Sequence, residues 1–333
     1  MIHASKYILG LIAVTLSLSV LSQDYDRIAF YNVENFFDTR YDSTKYFNGF
    51  TPKGDHHWSK TRYYQKREHI YKVIAAVGGW NGVTVMGFAE IENRGILEDL
   101  ITNTPLKKSD YGIVHFESPD KRGIDVGMIY RKKRFKVIKA NPIRVKNPDN
   151  PSFTTRDILY VKGILLKDTI HIFYNHWPSR YGGMMNTVTL RALAASTLQL
   201  VVDSILEKEP LAKVVILGDF NDNPDDKSIQ LLLHNGKHTL EALSPSFDYG
   251  NTTGTIKHNT DWAIFDQVIV SPDMFSTKGL HLKNHNMHIF DAGFLLINDE
   301  KNLGKKLNRT FVGFNYNGGF SDHLPVYVDV YKQ

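Results

Sequence analysis

From Arg27 onward, about ten short runs rich in Val, Ile and aromatic residues alternate with only two strong helical patterns, and this imbalance constrains the fold more than any other feature of the chain. The predicted strands are Arg27–Asn32, Val83–Glu90, Gly112–Glu117, Val126–Tyr130, Phe135–Ile138, Ile158–Leu166, Ile170–Tyr174, Val214–Leu217, Gln267–Val270 and Val326–Val330. Ile70, Val73, Ile74 and Val77 follow helical spacing and stop at Gly78-Gly79; Leu190, Leu193, Ala194, Thr197, Leu198, Val201, Val202 and Ile205 do so before Pro210. A doubly wound parallel sheet needs a helix between most strands. The pattern therefore predicts an α/β fold of layered mixed sheets. No internal repeat, low-complexity tract or Pro-rich linker divides it, so one domain is expected.

Residues 1–22 read differently. A lone Lys6, an uncharged apolar run from Tyr7 to Leu21, and Val20-Leu21-Ser22 ahead of Gln23-Asp24 predict a secretory signal peptide cut after Ser22; a membrane anchor is the rival reading. Cleavage leaves a single domain over 23–333, exported to the periplasm or beyond, with no stable membrane insertion. Loss of Lys6 lowers the formal net charge from +5 to +4, too little to demand a polyanionic partner. There is no cysteine, which excludes disulfides, thiolate metal sites and a Cys nucleophile. Any metal must sit on oxygen or imidazole.

Polar residues recur where the apolar runs end, as in a catalytic face built from strand ends. In Val214–Pro224 an apolar strand delivers Asp219, Gly218 permits a close backbone approach, and Asn221 follows at the two-residue period. An acid and an amide so placed can activate water, orient a phosphoryl oxygen or hold a hard cation. The competing reading is an Asx-rich turn. Asp322-His323 precedes the last strand, and Asp266 opens Gln267–Val270, where its carboxylate can fix the tautomer of His323. Asn32 and Glu34 share a strand face at strand periodicity, and Glu90 closes another apolar strand; each alone reads more readily as a solvated strand end.

Taken in order, Asn32/Glu34, Glu90, His176, Asp219/Asn221, Asp266 and Asp322/His323 resemble the endonuclease/exonuclease/phosphatase superfamily from about Arg27 to Val330. Tyr31–Asp38 and Asn175–Arg180 are similar to segments of secreted or periplasmic bacterial members. The resemblance implies a DNase I-like, four-layer α/β sandwich of two packed mixed sheets flanked by helices. It implies Glu90 as principal metal ligand with Asn32 and Glu34 beside it, Asp322 against the metal and water, and Mg²⁺ or Mn²⁺, with Ca²⁺ possible, as cofactor. Asp219 would position or deprotonate the attacking water, Asn221 would hold a phosphate oxygen, and His323, supported by Asp266, and His176 would act on the phosphate. Arg156 resembles a phosphate-contacting Arg, its alternative being a salt bridge to Asp157; Asn175 and Arg180 join it as substrate-binding candidates. Arg180 and Arg191 face phosphate or solvent, and the role of Asp125 stays open.

The implied reaction is in-line attack of water on a phosphate ester. A nucleic acid is the first expected substrate of this monomeric hydrolase, and a lipid headgroup or small phosphoester the second; a non-catalytic binding module is the third reading. Basic clusters at Lys60–Arg62, Lys66-Arg67, Arg131–Arg134 and Lys301–Arg309 are scattered, as on a solvated surface. The loops Asp38–Trp58 and Asp291–Phe314 carry no readable substrate code, and aromatics there and at Tyr63-Tyr64 read first as packing.

Overall fold

The computed structural model describes residues 25–43 and 47–332, so the expected signal segment over 1–22 lies outside the described residues. Among the described residues the chain runs β1 (Tyr25–Phe36), α1 (Lys60–Gly78), β2 (Val85–Ile91), α2 (Arg94–Thr102), β3 (Tyr111–His115), β4 (Asp125–Arg131), β5 (Phe135–Ile143), β6 (Ile158–Leu165), β7 (Asp168–His176), α3 (Met184–Lys208), β8 (Lys213–Asp219) and α4 (Lys227–His234). Shorter strands follow, among which Asp266–Val270 and Val326–Lys332 carry the argument.

Two mixed sheets pack face to face. The first is ordered Ser244–Phe247, Asn286–Ile289, Val326–Lys332, β1, β2, β4, β3; the second is ordered β5, β6, β7, β8, Asp266–Val270, Glu241–Ala242. Near the middle of each lies one parallel pair, β1 with β2 and β7 with β8. A parallel pair needs a crossover, and α1 and α3 provide them on the outer faces. The four strands of these pairs thus end at one rim. Their antiparallel neighbours, Val326–Lys332 beside β1 and Asp266–Val270 beside β8, begin there. Six strand ends meet where the polar motifs lie.

α1 starts at Ser59, whose side chain accepts from the Arg62 amide, and stops at Gly79 in a left-handed conformation (φ 54°). Its Ile70, Val73, Ile74 and Val77 are buried in the core of the first sheet. By length and composition α3 is apolar enough over Thr187–Lys208 to cross a membrane. Its Ala194, Ala195, Leu198, Val202 and Leu206 instead pack with Phe173, Val214 and Ile216 of the second sheet. Between the sheets Phe30 stacks on Tyr174 at 6.3 Å, and a Cβ on Gly87 would stand 2.1 Å from the Tyr174 ring. Glycine at 87 is what lets the sheets approach this closely.

The expected four-layer arrangement is the observed one. All ten expected strands are present, several extending one to five residues further. α2 and α4, of 9 and 8 residues, were not expected: each is too short for a repeated apolar spacing to stand out. The aromatic-rich loops close on themselves, Phe37, Phe50, Trp58 and Phe311 being buried together, while Tyr41 and Tyr64 are exposed.

Candidate active site

Along the rim of the second sheet, β7, β8 and Asp266–Val270 set His176 beside Asp219 and Asp219 beside Asp266 in register. The Asp219 carboxylate is the hub. Its Oδ2 accepts from Asn32 Nδ2 at 3.0 Å and lies 3.6 Å from His176 Nε2 and 3.7 Å from His323 Nε2, while its Oδ1 accepts from the Asn221 amide at 2.9 Å. Asn32 comes from the first sheet, so the site straddles both. His323 Nδ1 lies 2.7 Å from Asp266 Oδ2, which aims Nε2 at Asp219. Ser321 Oγ donates to Asn32 O at 2.7 Å and accepts from the His323 amide, tying the last turn to β1.

Local backbone geometry, not strand periodicity, aims several of these groups. Glu34 (φ 51°), Asn35 (φ 58°), Glu90 (φ 62°) and Asn221 (φ 53°) are all left-handed non-glycine residues. Pairing of β1 with β2 jumps from Asn32 to Phe36, and of β2 with β4 from Ala89 to Ile91, so both strands bulge at the rim. Such residues cost about 1–3 kcal/mol each and persist where the surroundings fix them. The bulge turns Glu90 inward: Oε2 accepts from the Asn35 amide at 2.9 Å, and Oε1 faces Arg122 at 3.5 Å and His176 Nε2 at 3.8 Å.

The two histidines are held in opposite states. Burial would lower His323, but the charges of Asp266 and Asp219 outweigh it and raise it well above the usual imidazole range. His176 is pushed well below that range by burial, reinforced by Arg156 and Arg122. Asp219 is raised to about 7, chiefly by burial. A proton acceptor, a cationic imidazole and a neutral one therefore share one cleft.

The other expected site residues divide. Arg156 is buried at the cleft, donating to Trp177 O (2.6 Å) and Asp120 Oδ2 (3.2 Å); Asp157 pairs instead with Arg144 (2.6 Å). Asn221 Nδ2 donates to Trp177 O at 3.1 Å. Glu34 does not stand open beside Glu90. Its Oε2 accepts from the Thr310 amide (2.6 Å) and its Oε1 from the Phe311 amide (3.3 Å) and Arg309 Nε (3.4 Å). Asp322 pairs with Arg309 at 2.8 Å. Asn175, fully buried, donates to Leu217 O and accepts from Trp177 Nε1, both at 3.1 Å. Arg180 is likewise committed, to Asn221 O (2.8 Å), Asp222 (2.9 Å) and Asp226, over the Phe265 ring. Arg191 faces neither phosphate nor solvent: it is fully buried against Asp222 at 2.8 Å. Asp125 anchors the loop before β4 through Ser118 and His115.

That loop carries Arg122, a cation at the site which the sequence reading passed over. Its position three residues before Asp125 was the available signal. Lys66 and Arg309 were also missed as site residues, since both lie in what look like surface charge runs.

Asn32, Glu90 and Asp219 supply hard oxygens, and Asp219 and Asp266 lie close together with His323, which as a cation bonded to Asp266 is not itself a donor. Both Oε1 contacts of Glu90 are too long to be good hydrogen bonds, leaving that oxygen available. This donor set fits a hard divalent cation.

Similar folds occur among solved structures. A mannosyl-6-phosphatase from Bacteroides thetaiotaomicron is 16% identical (TM-score 0.58; 92% of this chain and 99% of that one covered). The human nocturnin catalytic domain with bound sulfate is 15% identical (0.55; 93% and 95%). Truncated TDP2 from Caenorhabditis elegans is 13% identical (0.55; 92% and 97%). At such identities the likeness is one of fold. No curated protein matches the sequence. The profile described as Endonuclease/Exonuclease/phosphatase family spans residues 27–332, nearly all of the described structure, and the chain belongs to that family of phosphoester hydrolases.

Proposed function

We propose that this protein is an exported, monomeric, divalent-cation-dependent hydrolase that cleaves nucleic-acid phosphodiesters by in-line attack of water. The observation that carries this reading is the Asp219 hub, where one raised carboxylate meets Asn32 and two imidazoles of opposite protonation. Asp219 accepts the proton of the attacking water. His323, kept cationic by Asp266, stabilises charge on a non-bridging oxygen, and neutral His176 with Arg156 and Asn221 fixes the phosphoryl group. Glu90 and Asn32 would hold Mg²⁺ or Mn²⁺, which when bound offsets charge developing on the phosphate oxygens. The family's phosphoester chemistry and the donor set support the cation.

One observation favours a second reading, a small phosphoester. Several cations of the basic clusters that would track a polyanion are paired with acids: Arg67 with Asp99 (3.0 Å), Lys132 with Asp110 (2.8 Å), Arg134 with Asp26, Lys306 with Asp299 (3.8 Å). The similar mannosyl-6-phosphatase belongs to this second class of substrate.

The test uses purified mature protein with Mg²⁺, Mn²⁺ or Ca²⁺ against plasmid DNA, RNA, a chromogenic diester, a sugar phosphate and sphingomyelin. Nicking that a chelator abolishes and Mg²⁺ restores supports the nuclease; turnover of the sugar phosphate or lipid without nicking moves the substrate class. Silence across the panel sinks both readings. N-terminal sequencing of protein from the exported fraction, expected to begin at Gln23, tests export.

A further inference from the structure

We propose that Lys66 and Arg309 are built-in counter-cations that fill the Glu34–Asp322 half of the centre, so that the protein holds one divalent cation, at Glu90, and not two. This rests on the cation-dependent reading above.

The five carboxylates of the centre do not stand equally open. Arg309 bridges Glu34 (Nε to Oε1, 3.4 Å) and Asp322 (2.8 Å), and the Thr310 and Phe311 amides take the rest of the Glu34 carboxylate. Behind them lies Lys66 on α1, a lysine only 1% exposed, whose ammonium donates to Thr310 Oγ1 and Phe320 O. Thr310 carries the amide bound to Glu34, and Phe320 lies two residues before Asp322. One buried charge thus pins both segments. A divalent cation between Glu34 and Asp322 would have to displace a guanidinium and two backbone donors while facing the buried ammonium. Among the described residues the one Lys or Arg paired with Glu90 is Arg122, at 3.5 Å, a looser contact than the 2.8 Å between Arg309 and Asp322. Closely paired positive charge, backed by the buried Lys66, thus fills one half of the centre and leaves the other for the metal.

Binding of Mn²⁺ to the mature chain, followed by equilibrium dialysis and electron paramagnetic resonance, reads this without any substrate. The wild type is expected to bind one Mn²⁺ with an uncoupled signal, and Glu90→Gln to lose it. Arg309→Ala, at a half-exposed position, is expected to admit a second Mn²⁺ and to give a spin-coupled signal, with Lys66→Met, checked for a cooperative melt, moving the same way. Two Mn²⁺ on the wild type overturn the inference alone, as does a single Mn²⁺ on folded Arg309→Ala. A wild type that binds none overturns it together with the cation-dependent reading.

Discussion

The β1–β2 and β7–β8 pairs share a plan: each is parallel, each is bridged by a helix, and each brings polar residues to the same rim. Their charges are compensated differently. Beside β1, Glu34 and Asp322 face Lys66 and Arg309, groups that keep their protons, and burial lowers Lys66 only to about 8. At β7–β8, Asp219, itself raised to about 7, and Asp266 face His176 and His323, one imidazole pushed well below its usual range and the other raised well above it. One half sets its acids against ammonium and guanidinium groups, the other against imidazoles. Parallel architecture sets where carboxylates converge; the partner residue decides whether the convergence is scaffold or chemistry.

The largest effect should come from the proton-handling half. Asp219→Ala and His323→Ala are each expected to cut turnover by about 10³-fold or more with the circular-dichroism melt retained. Near-normal turnover by either would dissolve the contrast. Asp266→Asn should cost about 10–100-fold and move the pH profile. His323 is held cationic chiefly by Asp266, so activity is present while it is protonated and falls as pH rises through its raised value; without that charge, the alkaline limb shifts to lower pH. An unmoved limb would remove Asp266 from that role. Gly87→Ala strikes the seam between the halves rather than either one, placing a Cβ against Tyr174. Urea unfolding should show a loss of about 1–3 kcal/mol, with turnover per folded molecule little changed. Smallest of all, Arg94→Ala removes the exposed pair with Glu98 (2.8 Å) and should shift stability by about 0.5 kcal/mol or less in the same titration.

The strands were legible because β-branched runs bounded by polar residues survive in sequence, and Asp219, Asp266, His176 and His323 were legible because they sit where those runs end. Cations were not. Lys66 lies beside Arg67 in what reads as a surface run, yet one is buried under the site and the other bonds Asp99 on α2. Which cation of a pair turns inward depends on helical phase relative to a loop some 244 residues away. Glu34 is aimed otherwise than strand alternation suggests for a related reason: period-two reasoning holds only while the strand is regular, and the bulge at Glu34 and Asn35 breaks it. Asn175 and Arg180 lie in a motif that reads as substrate-facing, but their partners, Leu217, Asp222 and Asp226, come from β8 and the turn after it.

The bond from Ser321 to Asn32 spans 289 residues of chain, and that from Asn32 to Asp219 spans 187. Contacts this distant in sequence are costly to close and form slowly. A chain in which Val326–Lys332 has not yet docked beside β1 keeps Asn32, Asp219 and His323 apart, whatever local structure it already has. Hydrolytic competence is therefore a property of the finished topology. In refolding it should return with the slowest structural phase, and a partly folded chain would pass among phosphoesters without harming them.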